Sequence, residues 1–163
     1  MLFDAEQRAQ LTAFVEVVAT DPARARASLA DILDNTDPDW WNSAEEVVRE
    51  ALRLDGLVYF DWRDNAEEIR DQLEWLPGFP TGLTWEWYDW SRVENWDPDD
   101  RPGFLKQLAD RCLERGVALI GVFVNGDGLT LGFLPADRLD RFNDLAAAAG
   151  IRVFVYRTGA PAA

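Results

Sequence analysis

The sequence contains no histidine and only one cysteine, Cys112. Without histidine, the chain lacks the side chain that most often serves as general acid, general base or transition-metal ligand. A single cysteine cannot form an internal disulfide, and this usage is typical of a reducing compartment. A catalytic thiolate is disfavoured as well, because no imidazole is present to activate the thiol. We therefore predict no cofactor, no metal site and no enzymatic activity.

Long hydrophobic runs are also missing. The longest apolar stretch, residues 117–124, is far too short to span a bilayer. The first residues lack the basic start and the apolar run of a secretory signal. The 163 residues, 48% of them hydrophobic, suffice for one domain with a substantial core. These features predict a single domain over residues 1–163, located in the cytoplasm.

Basic residues are scarce: 16 Lys and Arg stand against 30 Asp and Glu, a formal net charge of −14. Such a balance argues against binding to nucleic acid or to anionic membranes. Residues 31–100 hold 20 of the acidic and five of the basic residues, a net charge of −15, and all eight tryptophans. Tryptophan is enriched at protein interfaces, and carboxylates steer a basic partner towards them. We expect a protein partner with a basic surface.

The periodicity of apolar residues predicts an α+β fold with two parts. Residues 1–54 show helical spacing and predict three helices, the third opened by a capping box at Ser43 and Glu46. Residues 57–156 predict a mixed sheet of about four to five strands with helices packed on it. Its predicted strands are residues 57–62, 83–88, 117–124, 129–134 and 151–156, the last parallel to 129–134. A frayed tail is expected over residues 157–163.

Three segments are candidate partner-binding sites. Residues 85–90 contain four aromatic and two acidic side chains, and a strand cannot bury all four rings on one face. Residues 37–41 combine two carboxylates with two rings on a predicted loop, and residues 97–100 carry three aspartates. The candidate residues are Asp37, Asp39, Trp40, Trp41, Glu86, Trp87, Tyr88, Asp89, Trp90, Asp97, Asp99 and Asp100.

Each segment also has a purely structural interpretation. The rings of residues 85–90 would then pack under a helix or loop, and residues 37–41 would form a capped turn with one ring in the core. The aspartates of residues 97–100 could hold a divalent cation, but they lack the ordered spacing of a calcium-binding loop and match ordinary turn chemistry. Asn125, Gly126, Asp127 and Gly128 predict a plain hairpin turn, since no lysine and no helix follow them as in a phosphate-binding loop.

The aromatic and acidic strand at residues 58–62 is followed by a helix–glycine–strand–hairpin–helix block that begins at Phe104. In this pattern, residues 57–156 resemble an uncharacterised bacterial family of domains of unknown function. The turn at residues 125–128 departs from the more polar turn expected of that family. The resemblance implies no activity and no functional residue. By analogy alone, the chain is also similar to the small acidic immunity proteins of bacterial toxin systems.

These observations lead to one main hypothesis and several alternatives. The main hypothesis is an immunity or inhibitor protein that covers the basic active-site cleft of a bacterial toxin, such as a nuclease. A DNA mimic or other regulator of a nucleic-acid-binding protein would instead space its acids along a ridge, like phosphates. A small enzyme or a divalent-metal binder is a second alternative. A housekeeping domain whose acidity serves solubility is the third.

Overall fold

The computed structural model describes residues 3–35 and 37–157. Within them the chain forms six α-helices and four strands. In chain order these are α1 (Ala5–Val18), α2 (Pro22–Asn35), α3 (Ala44–Ala51), β1 (Val58–Phe60), α4 (Ala66–Glu74), α5 (Arg101–Leu113), β2 (Val117–Val122), β3 (Leu129–Pro135), α6 (Leu139–Ala149) and β4 (Val153–Val155). The predicted α+β fold with N-terminal helices is confirmed. The expected frayed tail lies outside the described residues, except for Arg157.

Side-chain caps begin several of the helices. Asn65 accepts hydrogen bonds from the backbone N–H groups of Glu67 and Glu68, and the Glu68 side chain accepts one from the N–H of Asn65, which completes a capping box at α4. Ser43 caps α3 by accepting from the N–H of Glu46 at 3.3 Å. The predicted box is incomplete there, because the Glu46 carboxylate binds the N–H of Asn42 instead.

The sheet has the strand order β1-β3-β2-β4, and each neighbouring pair is antiparallel. The expectation of a mixed sheet was therefore wrong. β4 does run in the same direction as β3, as predicted, but the chain crosses over through α6 and pairs β4 with β2 instead. The turn predicted at residues 125–128 lies in the connection of the β2–β3 hairpin.

Helices cover both faces of this sheet and create two cores. The first core lies between the sheet and helices α1, α2, α3 and α6, with Phe14 and Phe142 among its fully buried residues. The second core lies on the opposite face, under α4, α5 and the loop after α4, around Phe60 and Phe104. β2 contributes to both cores, with Ile120 in the first and Leu119 in the second, because successive side chains of a strand point to opposite faces.

The strand predicted over residues 83–88 is absent from the structure. These residues form turns, and a 3-10 helix follows over Trp90–Asn95. The indole N–H groups of Trp87 and Trp90 donate to the nearby carbonyls of Thr84 and Trp85, at 2.9 and 3.2 Å. These local hydrogen bonds favour turns over an extended strand at residues 83–88.

Among the described residues, no helix combines the length and the apolar character needed to cross a lipid bilayer.

Candidate functional site

The aromatic residues between positions 85 and 96 pack around one buried ring, that of Phe104 on α5. Their ring centroids lie between 4.9 and 6.3 Å from that of Phe104, for Trp85, Trp87, Tyr88 and Trp96. Offset and edge-to-face contacts of this kind stabilise an aromatic cluster beyond the burial of its area. We call residues 85–96 the aromatic segment. Its conformation is set mainly by this packing.

The aromatic segment is also bonded to helix α4. The indole N–H of Trp85 donates to the carboxylate of Glu74 at 2.7 Å. The guanidinium carbon of Arg70 lies 4.6 Å from the centroid of the Trp90 ring, a cation–π contact. Neither contact is evident from the sequence, because the two join residues 11 and 20 positions apart. As a result, α4 and the aromatic segment form one side of the molecule.

This side is densely acidic. Ten described carboxylates of α4 and of residues 86–100 are exposed, and we call them the acidic surface. They are Glu67, Glu68, Asp71, Glu74, Glu86, Asp89, Glu94, Asp97, Asp99 and Asp100. Within the same two segments the basic residues are Arg70 and Arg92. Arg70 is already engaged by Glu67 and Asp71, with N–O distances of 3.4 and 2.7 Å.

Part of the acidic surface has a local structural role. The Asp89 carboxylate accepts from the hydroxyl and the N–H of Ser91, and these two bonds hold the pKa of Asp89 below its ordinary value. Asp97 accepts from the N–H of Asp99 at 2.9 Å and begins a short 3-10 helix. These contacts are the ones expected if Asp89 and Asp97 stabilise turns. They leave the remaining carboxylate oxygens facing solvent.

The rings of the predicted site differ in what they offer a partner. Tyr88 retains only 8% exposure, and burial raises the pKa of its hydroxyl. Trp87 and Trp90 are half-buried, so each presents part of its ring beside the exposed Glu86 and Asp89. Tyr88 therefore acts as a packing residue, and of the three predicted site rings in this segment only Trp87 and Trp90 offer accessible area.

The second predicted segment, residues 37–41, lies on the other helical layer. Trp41 packs against the first core, whereas the aromatic segment packs against the second core on the opposite face of the sheet. Asp37 accepts from the N–H of Asp39 at 3.0 Å in a turn, and both carboxylates are exposed. The Trp40 side chain is 75% exposed. The structure therefore separates this segment from the acidic surface.

Among the described residues, no group of three or more Cys, Asp or Glu side chains is arranged to hold a metal ion. The thiol of Cys112 is fully buried in the second core, and burial raises its pKa to about 12. A thiol in this environment is protonated and shielded at neutral pH.

A cleft that the sequence analysis did not predict lies at the edge of the sheet. It has a volume of about 830 Å³ and is bounded by α3, β1 and the end of α4. Three exposed apolar side chains line it: Leu54 (73% exposed), Tyr59 (49%) and Trp75 (87%). A signal for Trp75 was present, because it falls off the helical stripe of Ile69, Leu73 and Leu76.

A second cleft, of about 580 Å³, lies at the other end of β1 and contains one predicted site residue, Asp99. Trp62 and Phe123 line it, together with the hairpin turn at residues 126–128.

Comparison with known proteins gives one match. No curated protein and no solved structure matches the chain. A family described as a domain of unknown function, DUF6630, matches residues 3–157. The match covers the region 57–156 in which the sequence resembled an uncharacterised family, and it extends over the N-terminal helices. The chain therefore belongs to the DUF6630 family.

Proposed function

We propose that this protein is a non-enzymatic binding domain whose partner is a protein with a basic surface. The observation that carries the proposal is the acidic surface: ten exposed carboxylates on α4 and residues 86–100, with only two arginines in the same segments. A field of one sign raises the association rate of an oppositely charged partner and disfavours acidic ones.

The half-buried rings of Trp87 and Trp90 would supply the apolar contacts of the interface. Interface hot spots are enriched in tryptophan and sit within a rim of polar groups. Glu86 and Asp89 supply that rim, since both are exposed and each directly precedes one of the two rings in the chain. The packing around Phe104 holds the rings in place before binding, which reduces the entropy lost on association.

The biological form we propose is an immunity or inhibitor protein that neutralises a bacterial toxin. A nuclease active site is rich in Lys and Arg, since it must hold phosphates. The acidic surface is complementary to such a cleft and would block it. The absence of histidine and the burial of Cys112 support binding over catalysis.

Affinity capture with charge-reversed variants tests this proposal. Glu86→Lys, Glu94→Lys and Asp99→Lys together should abolish capture of the basic partner from a lysate of the source cells. A matched triple variant, Asp137→Lys, Asp140→Lys and Asp144→Lys, changes the net charge equally on the opposite helical layer and should capture as the wild type does. Identical capture by all three proteins would refute the acidic surface as the binding site.

The inhibitor form has its own test. The captured partner should lose its activity on addition of one equivalent of the wild-type protein and keep it with the Glu86, Glu94 and Asp99 triple variant. If the partner binds through the acidic surface and stays fully active, the protein is a binding domain but not an inhibitor.

A further inference from the structure

The cleft at the sheet edge is built around an unpaired strand. β1 pairs with β3 on one side, and among the described residues no strand pairs with its other side. α3 forms one wall of the cleft, and the end of α4, with Gln72, Trp75 and Leu76, forms the other. An open strand edge presents unpaired N–H and C=O groups, and these groups can pair with a further strand.

The rim of this cleft exposes apolar side chains at a structural cost. Leu54 is the one described non-glycine residue with a left-handed backbone, at a φ of 69°, and its side chain is 73% exposed. A leucine is strained in this region, where glycine is favoured. Trp75 lies across the cleft with 87% exposure. A leucine that is both strained and exposed indicates that its side chain contacts another molecule.

The charges on the α3 wall, together with Arg53 just after the helix, form a self-complementary pattern. Glu46, Arg49, Glu50 and Arg53 all line the cleft, in the order acid, base, acid, base. Their sum is zero, within a segment of residues 31–100 that carries −15. Consider a second copy of the chain related by a two-fold axis that passes between residues 49 and 50. Its α3 would lie antiparallel to the first, with Glu46 beside the partner's Arg53 and Arg49 beside the partner's Glu50.

We propose that the occupant of this cleft is a second copy of the same chain. A two-fold axis perpendicular to the sheet would pair the two β1 strands antiparallel and join the two sheets through their edges. The same axis places the two α3 helices antiparallel on one face of the sheet, where the charge pattern is self-complementary. On the other face, it brings the two Trp75 residues towards each other.

The self-complementarity of α3 favours a second copy over a different protein, because a two-fold axis requires a patch to match itself. The local neutrality also matters: elsewhere the two chains, each with a net charge of −14, would repel. Residues 86–100 of the acidic surface do not line the cleft, and the dimer does not depend on the proposed function.

Sedimentation velocity of the purified full chain, over a range of concentrations, tests the dimer. The wild type should reach twice the 18.5 kDa mass of the chain. Arg49→Glu and Glu50→Arg should each raise the dissociation constant about tenfold or more, since each places like charges opposite one another across the axis. An equimolar mixture of the two variants restores both attractive pairs and should dimerise again.

Two further variants separate this contact from loss of folding. Leu54→Gly should weaken the dimer while the isolated chain stays folded, because glycine relieves the strained φ. Trp75→Ser should also weaken the dimer, whereas Trp40→Ser removes a similarly exposed ring outside the cleft and should not. A wild type that stays monomeric at every concentration would overturn the proposal. A dimer that survives Leu54→Gly and Trp75→Ser, or a variant mixture that remains monomeric, would overturn it too.

Discussion

Glu45 is a carboxylate buried at the beginning of α3, with 5% exposure. Its Oε1 accepts from the backbone N–H of Arg152 at 3.0 Å and from the Arg152 Nε–H at 2.9 Å. Burial alone would raise the pKa of Glu45, but the bonds and the charge of Arg152 outweigh it and hold the pKa below its ordinary value of 4.5. The contact ties the N-terminal helices to the residue before β4.

The lowered pKa gives this contact a defined pH dependence. Because the folded pKa lies below the unfolded one, the stabilisation is complete above pH 4.5 and is lost as the pH falls through the folded pKa. Glu45→Gln should reduce the free energy of unfolding by about 1–3 kcal/mol at pH 7, a typical value for a charge-assisted bond.

Urea unfolding of wild type and Glu45→Gln at neutral and acidic pH measures the effect. The difference in unfolding free energy should shrink as the solution becomes acidic. Glu94→Gln, at an exposed carboxylate, serves as the control and should change little at either pH. A difference for Glu45→Gln that is the same at both pH values would contradict the role of this carboxylate.

At the scale of elements, the aromatic segment depends on one residue of α5. Phe104→Ala should lower the free energy of unfolding by about 3–5 kcal/mol, as for other buried phenylalanines. It should also reduce the near-ultraviolet circular dichroism of the folded protein, because the tryptophan rings lose the ring that orders them.

Phe142→Ala is a matched comparison for that prediction. Phe142 is fully buried in the first core, where its ring contacts that of Phe14 at 5.5 Å. It should destabilise the protein by a similar amount and leave most of the tryptophan signal of the folded protein intact, because the half-buried tryptophans other than Trp41 pack against the second core. Equal spectra for the two variants would show that Phe104 does not organise the aromatic segment.

The helices were predictable because their signals are local. Leu11, Phe14, Val15 and Val18 recur at helical spacing and are all buried, and the side chains of Ser43 and Asn65 cap α3 and α4. The strand pairing was only partly predictable. The sequence indicated that β4 runs in the direction of β3, but it did not show that β2 lies between them, because pairing depends on contacts distant in sequence.

The candidate site was predictable in its charge and not in its geometry. The exposure of carboxylates such as Glu86 and Asp89 follows from the cost of burying a charge. The alternation at residues 83–88 suggested a strand, but the indole N–H groups bond to local carbonyls and the rings pack against Phe104. The burial of Tyr88 and the position of Trp75 beside β1 both result from tertiary packing, which alternation does not encode.

At the scale of the whole molecule, charge is distributed unevenly over the fold. The net charge of −14 arises from residues 31–100, and the structure places half of the acids of that segment on α4 and residues 86–100. Such a one-sided field acts over about 8 Å at physiological ionic strength and over about 30 Å in dilute salt. The long-range approach of a basic partner should therefore depend strongly on salt.

The association rate as a function of ionic strength tests the central claim most directly. The rate would be measured by stopped-flow fluorescence for the basic partner captured through the acidic surface. We expect the rate to fall roughly tenfold or more between about 0.01 and about 0.15 M salt. At low salt it should be slower for the Glu86, Glu94 and Asp99 triple variant and unchanged for the Asp137, Asp140 and Asp144 variant. A rate that is indifferent to ionic strength and to the charge of the acidic surface would contradict it.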